Sequence, residues 1–104
     1  MSFNGTEGKV ISLADGATMT QDWRNEHATT TKAVFFGKDH IEGLLRQDGC
    51  VGIRVYYAIN ESNDYTMVLV GVNEEENDMT EIVINAGILC PPQCSQPNDL
   101  TGSD

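Results

Sequence analysis

Val51, Ile53, Val55, Tyr57 and Ile59 alternate with Gly52, Arg54, Tyr56 and Ala58, and a period of two places the first set on one face of an extended strand. No other segment restricts the fold as strongly. Residues 60–64 collect turn formers, and residues 65–72 follow as a second β-rich run, so the two read as an antiparallel hairpin. Within the second run Met67-Val68-Leu69-Val70 is apolar on both faces. A strand of that kind sits centrally with cover on each side, so a helix, the C-terminal segment or a second subunit must lie over Arg54 and Tyr56. After an acidic loop at 73–78, Glu81-Ile82-Val83-Ile84 supplies a third antiparallel strand and completes a meander.

The flanking segments add helices. Ser12 with Asp15 matches a capping pattern, and Leu13, Ala17, Thr20 and Trp23 recur at helical spacing towards His27, with Trp23 as the anchor. Gly16 and several Thr weaken this helix. Ala33-Val34-Phe35-Phe36 is a short strand ended by Gly37. Asp39 and Glu42 repeat the capping logic for a second helix over 39–47, whose Ile41, Leu44 and Leu45 form a narrow apolar stripe and which Gly49 stops. Pro91 and Pro92 block helix and central strand alike. The expectation is one α+β domain over 10–90, a small antiparallel sheet of three to four strands with two helices. It is preceded by a frayed segment at 1–9, where burial cannot offset chain entropy, and followed by a Cys- and Pro-containing tail at 91–104, disordered from Ser95 onward. A chain of 104 residues with 39% apolar residues closes one core and no second domain.

Charge narrows the function classes. Sixteen Asp and Glu against six Lys and Arg give a formal charge of −10, which argues against direct binding to a nucleic-acid backbone or an anionic membrane. The longest apolar run, 67–72, falls far short of the roughly 18 residues of a membrane-spanning helix, and the Gly-containing N-terminus lacks the apolar core of a secretory signal. Both point to the cytoplasm. The run Glu74-Glu75-Glu76-Asn77-Asp78 lacks the alternate spacing and central glycine of a calcium loop and reads as a solvated turn.

Cys50, Cys90 and Cys94 are the three cysteines. In Cys90-Pro91-Pro92-Gln93-Cys94 the prolines stiffen the backbone between two thiols, and three uses are open to the pair: half of a zinc site completed by Cys50 and His27 or His40, a structural or reversible disulfide, or plain packing. The spacing departs from the Cys-x-x-Cys of dithiol oxidoreductases. His27 beside a helix C-terminus and His40 in a helical first turn have structural explanations. Arg54 and Tyr56 share a strand face and suit either a carboxylate or phosphate ligand or an internal acidic partner. No nucleophile–base constellation or phosphate loop has workable spacing.

Asp48-Gly49-Cys50-Val51-Gly52-Ile53-Arg54-Val55-Tyr56-Tyr57, Val68-Leu69-Val70-Gly71-Val72-Asn73, Asn77-Asp78 and the closing Cys90-Pro91-Pro92-Gln93-Cys94 together resemble a group of short uncharacterised bacterial proteins, over about residues 11–100. The resemblance implies a bacterial single-domain protein and carries no mechanism. Charge and the lack of a catalytic pattern favour a non-enzymatic module that binds a protein partner or forms a homo-oligomer without a cofactor. The alternative is a small zinc-binding or thiol-redox protein using Cys90 and Cys94.

Overall fold

A computed structural model describes residues 2–102. Within them the order of elements is α1 (Leu13–Glu26), β1 (Ala33–Phe35), α2 (Lys38–Leu45), β2 (Cys50–Ile59), β3 (Tyr65–Asn73), β4 (Asp78–Ile84) and β5 (Ile88–Cys90). Strands β2, β3 and β4 form the expected antiparallel meander with β3 in the centre, and β1 pairs with β5 in a second, two-stranded antiparallel sheet. The fold is α+β. Strand β5 is an addition to the expectation: it ends on Cys90, so the prolines terminate it rather than preventing it, and Ala33 lies opposite Cys90.

Local chemistry sets most boundaries where the residue types place them. The Ser12 hydroxyl accepts from the Asp15 amide at 3.0 Å and opens α1. Asn60 Oδ1 accepts from the amides of Ser62 and Asp64, both at 2.9 Å, and fixes the β2–β3 turn. Gly49 holds φ +87 just after α2. Helix α2 departs from its expected capping, because its N-cap is Gly37, which has no side chain to accept. Asp39 stays in the first turn, where a carboxylate complements the helix dipole, and Glu42 pairs instead with Arg46 one turn on, at 3.1 Å.

The core is small and lies at one end of the meander. Leu44 of α2 is fully enclosed at 0% exposure, and Leu69, Val70 and Val72 of β3 are buried with it. The end of α2 and the turn after it approach so closely that a Cβ on Gly71 would stand 2.6 Å from Gln47 Nε2, 2.9 Å from Cys50 Sγ and 3.4 Å from the Leu44 carbonyl. Helix α1, by contrast, has no buried residue; its expected apolar stripe is left open, with Leu13 among the exposed side chains. Polar tethers hold it instead. Trp23 Nε1 donates to the Thr31 carbonyl at 3.1 Å, and Arg24 Nη1 donates to the Leu100 carbonyl at 2.6 Å. Lys32 Nζ likewise donates to the Thr101 carbonyl at 2.6 Å, tying residues 95–102 back to β1.

The result is an open molecule. Its accessible surface is 7715 Å², against roughly 5,800 Å² for a folded monomer of this mass, and its radius of gyration is 15.2 Å where about 13 Å is usual. With so little enclosed, stability concentrates around α2 and β3. Leu44→Ala should lower the unfolding free energy by about 2–5 kcal/mol and Gly71→Ala by about 1–3 kcal/mol. Leu13→Ala should stay within about 0.5 kcal/mol of the parent, all read from urea denaturation followed by circular dichroism.

Candidate functional site

Because α1 stands away from the meander, a groove of about 580 Å³ opens between them. Met19 and Trp23 line it from α1, Val34 from β1, and Tyr57, Ile59, Tyr65 and Met67 from the hairpin. The hairpin contribution follows from register: Tyr57 faces Met67 and Ile59 faces Tyr65 across the ladder, so all four project from one sheet face. At one end Trp23 stacks on His27 with ring centroids 3.7 Å apart, and Tyr65 meets Trp23 at 6.4 Å and His27 edge-on at 6.2 Å. Lys32 is the one charged side chain among the lining residues. Asp22 and Glu26 lie near Trp23 in the sequence of α1, and Glu61 and Asp64 lie in the loop between Ile59 and Tyr65, all four exposed.

On the opposite sheet face Arg54 and Tyr56 converge on Asp78. Arg54 Nη1 lies 2.6 Å from Asp78 Oδ1, and the Tyr56 hydroxyl donates to Asp78 Oδ2. Arg54 also sits 5.9 Å from the Phe3 ring centroid, and Phe3 is fixed by its amide donating to the Glu74 carbonyl at 3.0 Å. Cover for this face thus comes from the N-terminal segment, which sequence reasoning did not consider. The charge-bearing edge of Arg54 that a ligand would use is turned onto Asp78. A cleft of about 440 Å³ remains beside it, lined by Phe3, Glu7, Gly52 and Val72 among others.

The Tyr56 hydrogen bond, followed by the Arg54 guanidinium, holds the Asp78 carboxyl below the usual carboxylate range against the opposing effect of burial. The same contacts raise Arg54, through the Asp78 hydrogen bond, and raise Tyr56, through that bond and burial. Glu7 is lowered by backbone amides, first that of Asn4.

Cys90 and Cys94 are joined in a disulfide, with Cα atoms 4.8 Å apart. Cys50 lies elsewhere, against Gly71, and its thiol donates to the Gly52 carbonyl at 3.2 Å. Among the described residues no three His, Cys, Asp or Glu side chains come within reach of one metal ion. His27 is in the aromatic cluster and His40 on the exposed side of α2. No helix of the described residues is long and apolar enough to cross a membrane.

Comparison with known proteins adds no relative: no family model, curated protein or solved structure matches the chain. The groove was not legible as a site in the sequence, where Trp23 reads as a core anchor and Tyr57 and Ile59 as one apolar strand face. The one available signal was the density of aromatic residues at 56, 57 and 65 around a turn.

The Asp78 cluster carries a pH dependence whose sign is fixed. A carboxyl lowered on folding from its ordinary value of 3.8 stabilises above that value and loses the contribution as pH falls through its lower folded value. A tyrosine raised from 10.0 stabilises below that value and loses its contribution as pH rises through the raised one. Asp78→Asn should therefore lower the urea midpoint at neutral pH and flatten its decline between about pH 5 and pH 2, leaving the slope that Glu7 contributes.

Proposed function

We propose that the chain is a non-enzymatic interaction module of the cytoplasm whose groove receives a cationic, amphipathic segment of another protein. The observation that carries this is the apolar floor of the groove, formed by Trp23, Tyr57, Tyr65 and the methionines, in a chain of formal charge −10. A partner with apolar anchors at helical spacing and Lys or Arg between them complements both the floor and the charge of the chain. Methionines suit such a surface because their unbranched side chains repack around different anchors. The formal charge of −10 speeds encounter with a basic partner. The resemblance to short bacterial proteins supports a bacterial setting.

A second reading has its own observation in Cys90 and Cys94, which are bonded to each other and gathered with no further metal-ligating side chains among the described residues. That arrangement favours a dithiol–disulfide couple over zinc. In that reading the two thiols pass two electrons and two protons to an external disulfide and close their own bond. A reducing cytoplasm would hold the pair open, so the bond would form only on exchange with an oxidised protein.

The two readings separate by mutation. Immobilised protein should retain a partner at about 50 mM salt and release it at about 500 mM, where exposed charges are screened. Retention should be lost in Trp23→Ala and in Tyr65→Ser with the meander intact by circular dichroism, and should survive Cys90→Ser. Retention unaffected by both groove variants, or equal at both salt concentrations, would overturn the groove reading. Loss only in Cys90→Ser would favour the thiol couple.

A further inference from the structure

We infer that the chain forms a two-fold homodimer in which β2 pairs antiparallel with β2 of a second copy, joining two three-stranded meanders into one six-stranded sheet. The surface involved is the outer edge of β2, whose Tyr57 and Ile59 also line the groove, so the dimer draws on residues of the site proposed above.

Exposed sheet edges invite pairing, and soluble proteins blunt them with short length, bulges, charges or proline. Three of the four edges here are blunted. Strands β1 and β5 are three residues each. Strand β4 breaks register between Val83 opposite Val70 and Met79 opposite Gly71, so Thr80, Glu81 and Ile82 bulge away, and it carries Asp78 and Glu81. Strand β2 has none of these devices over most of its length. It is ten residues long with no proline, its one irregularity lies at its start between Cys50 and Gly52, and residues 53–59 pair with β3 alone. The N-terminal segment reaches the first half of this strand, with Gly5 against the Val51 carbonyl and Phe3 and Glu7 lining a cleft with residues 51–55.

Charge selects the occupant. In a chain with sixteen acidic residues, β2 contains none, and its single charge, Arg54, is paired internally with Asp78. Two copies at −10 repel one another over most of their surface and least along this strand. A basic partner would find no anion on the edge itself, whereas a second copy finds a neutral strand like its own. Pairing centred on Tyr56 is self-complementary, as a two-fold interface requires. It sets Val55 of one copy beside Tyr57 of the other and Ile53 beside Ile59, continuing one apolar face across the junction. It also sets Arg54 beside Ala58, which keeps the two guanidinium groups apart.

Exposure agrees: Tyr57 is 87% exposed and Ile59 64%, so the apolar face at this edge is open to a neighbour.

Sedimentation velocity of the full chain at about 50 μM, above the micromolar upper range of ordinary interfaces, is expected to give twice the 11.4 kDa of the monomer. Val55→Lys and Tyr57→Glu should each give monomers with unchanged circular dichroism, because each buries an unpaired charge at the junction. Mixed in equal amounts they should restore a dimer, since the ammonium introduced in one copy then meets the carboxylate introduced in the other. A wild-type monomer at this concentration, or a dimer that both single variants leave intact, would overturn the proposal. So would monomeric variants that fail to recover on mixing. A monomer that still retains a partner through Trp23 and Tyr65 would sink the dimer and leave the groove reading standing. A dimer that retains no partner would do the reverse.

Discussion

At Gly71 the central strand gives up its side chain so that α2 can lie directly on it, with Gln47, Cys50 and the Leu44 carbonyl filling the space that a Cβ would need. That approach seats Leu44 among the buried residues of β3 and closes the only fully enclosed side-chain position in the described chain. It also fixes the start of β2. Cys50 packs against Gly71 while its amide donates to the Gln47 carbonyl at 3.0 Å, so the turn after α2 and the first residue of β2 are set by one contact. The ladder then carries that placement along the full length of β2 and β3, and the hairpin side of the groove inherits its position from it.

The remaining elements form a second unit that shares little of this core. Strand β1 is joined to β5 by its ladder and to residues 95–102 through Lys32, while α1 is joined to the same residues through Arg24. Gly87 marks where the chain crosses back, because a Cβ there would meet Val34, Phe36 and the Phe35 carbonyl. Cys90 lies buried at the far end of β5, and its link to Cys94 closes the turn that leads into the tethering segment. The groove is the gap between the two units, spanned by the Trp23, His27 and Tyr65 rings. Such an arrangement opens locally at lower free energy than the α2–β3 core, since its contacts are few and mostly exposed.

How far the sequence foretold this depends on the range of the interaction. The alternation in β2, the fully apolar β3, the Asn60 turn and the Ser12 cap are local patterns, and all are realised. Arg54 was read as having either a ligand or an internal acid, and Asp78, 24 residues away, is beside it. What the sequence did not disclose depends on distant backbone. The pairing of β5 with β1 spans more than fifty residues, the cover of Arg54 by Phe3 a similar distance, and neither leaves a periodic trace. The stripe on α1 illustrates the opposite failure. Its spacing is genuine, but periodicity reports which face is apolar and says nothing of whether anything lies against it.

The two tyrosines at 56 and 57 express the division of β2 into a face already satisfied and a surface still open. Adjacent residues on a strand point to opposite sides, so Tyr56 reaches Asp78 while Tyr57 projects from the groove face. The acid that neutralises Arg54 therefore does more than stabilise a strand pair. By holding the only charge of β2 within the molecule, it leaves the outer edge of that strand neutral, which in so acidic a chain makes that edge the easiest place for two copies to approach.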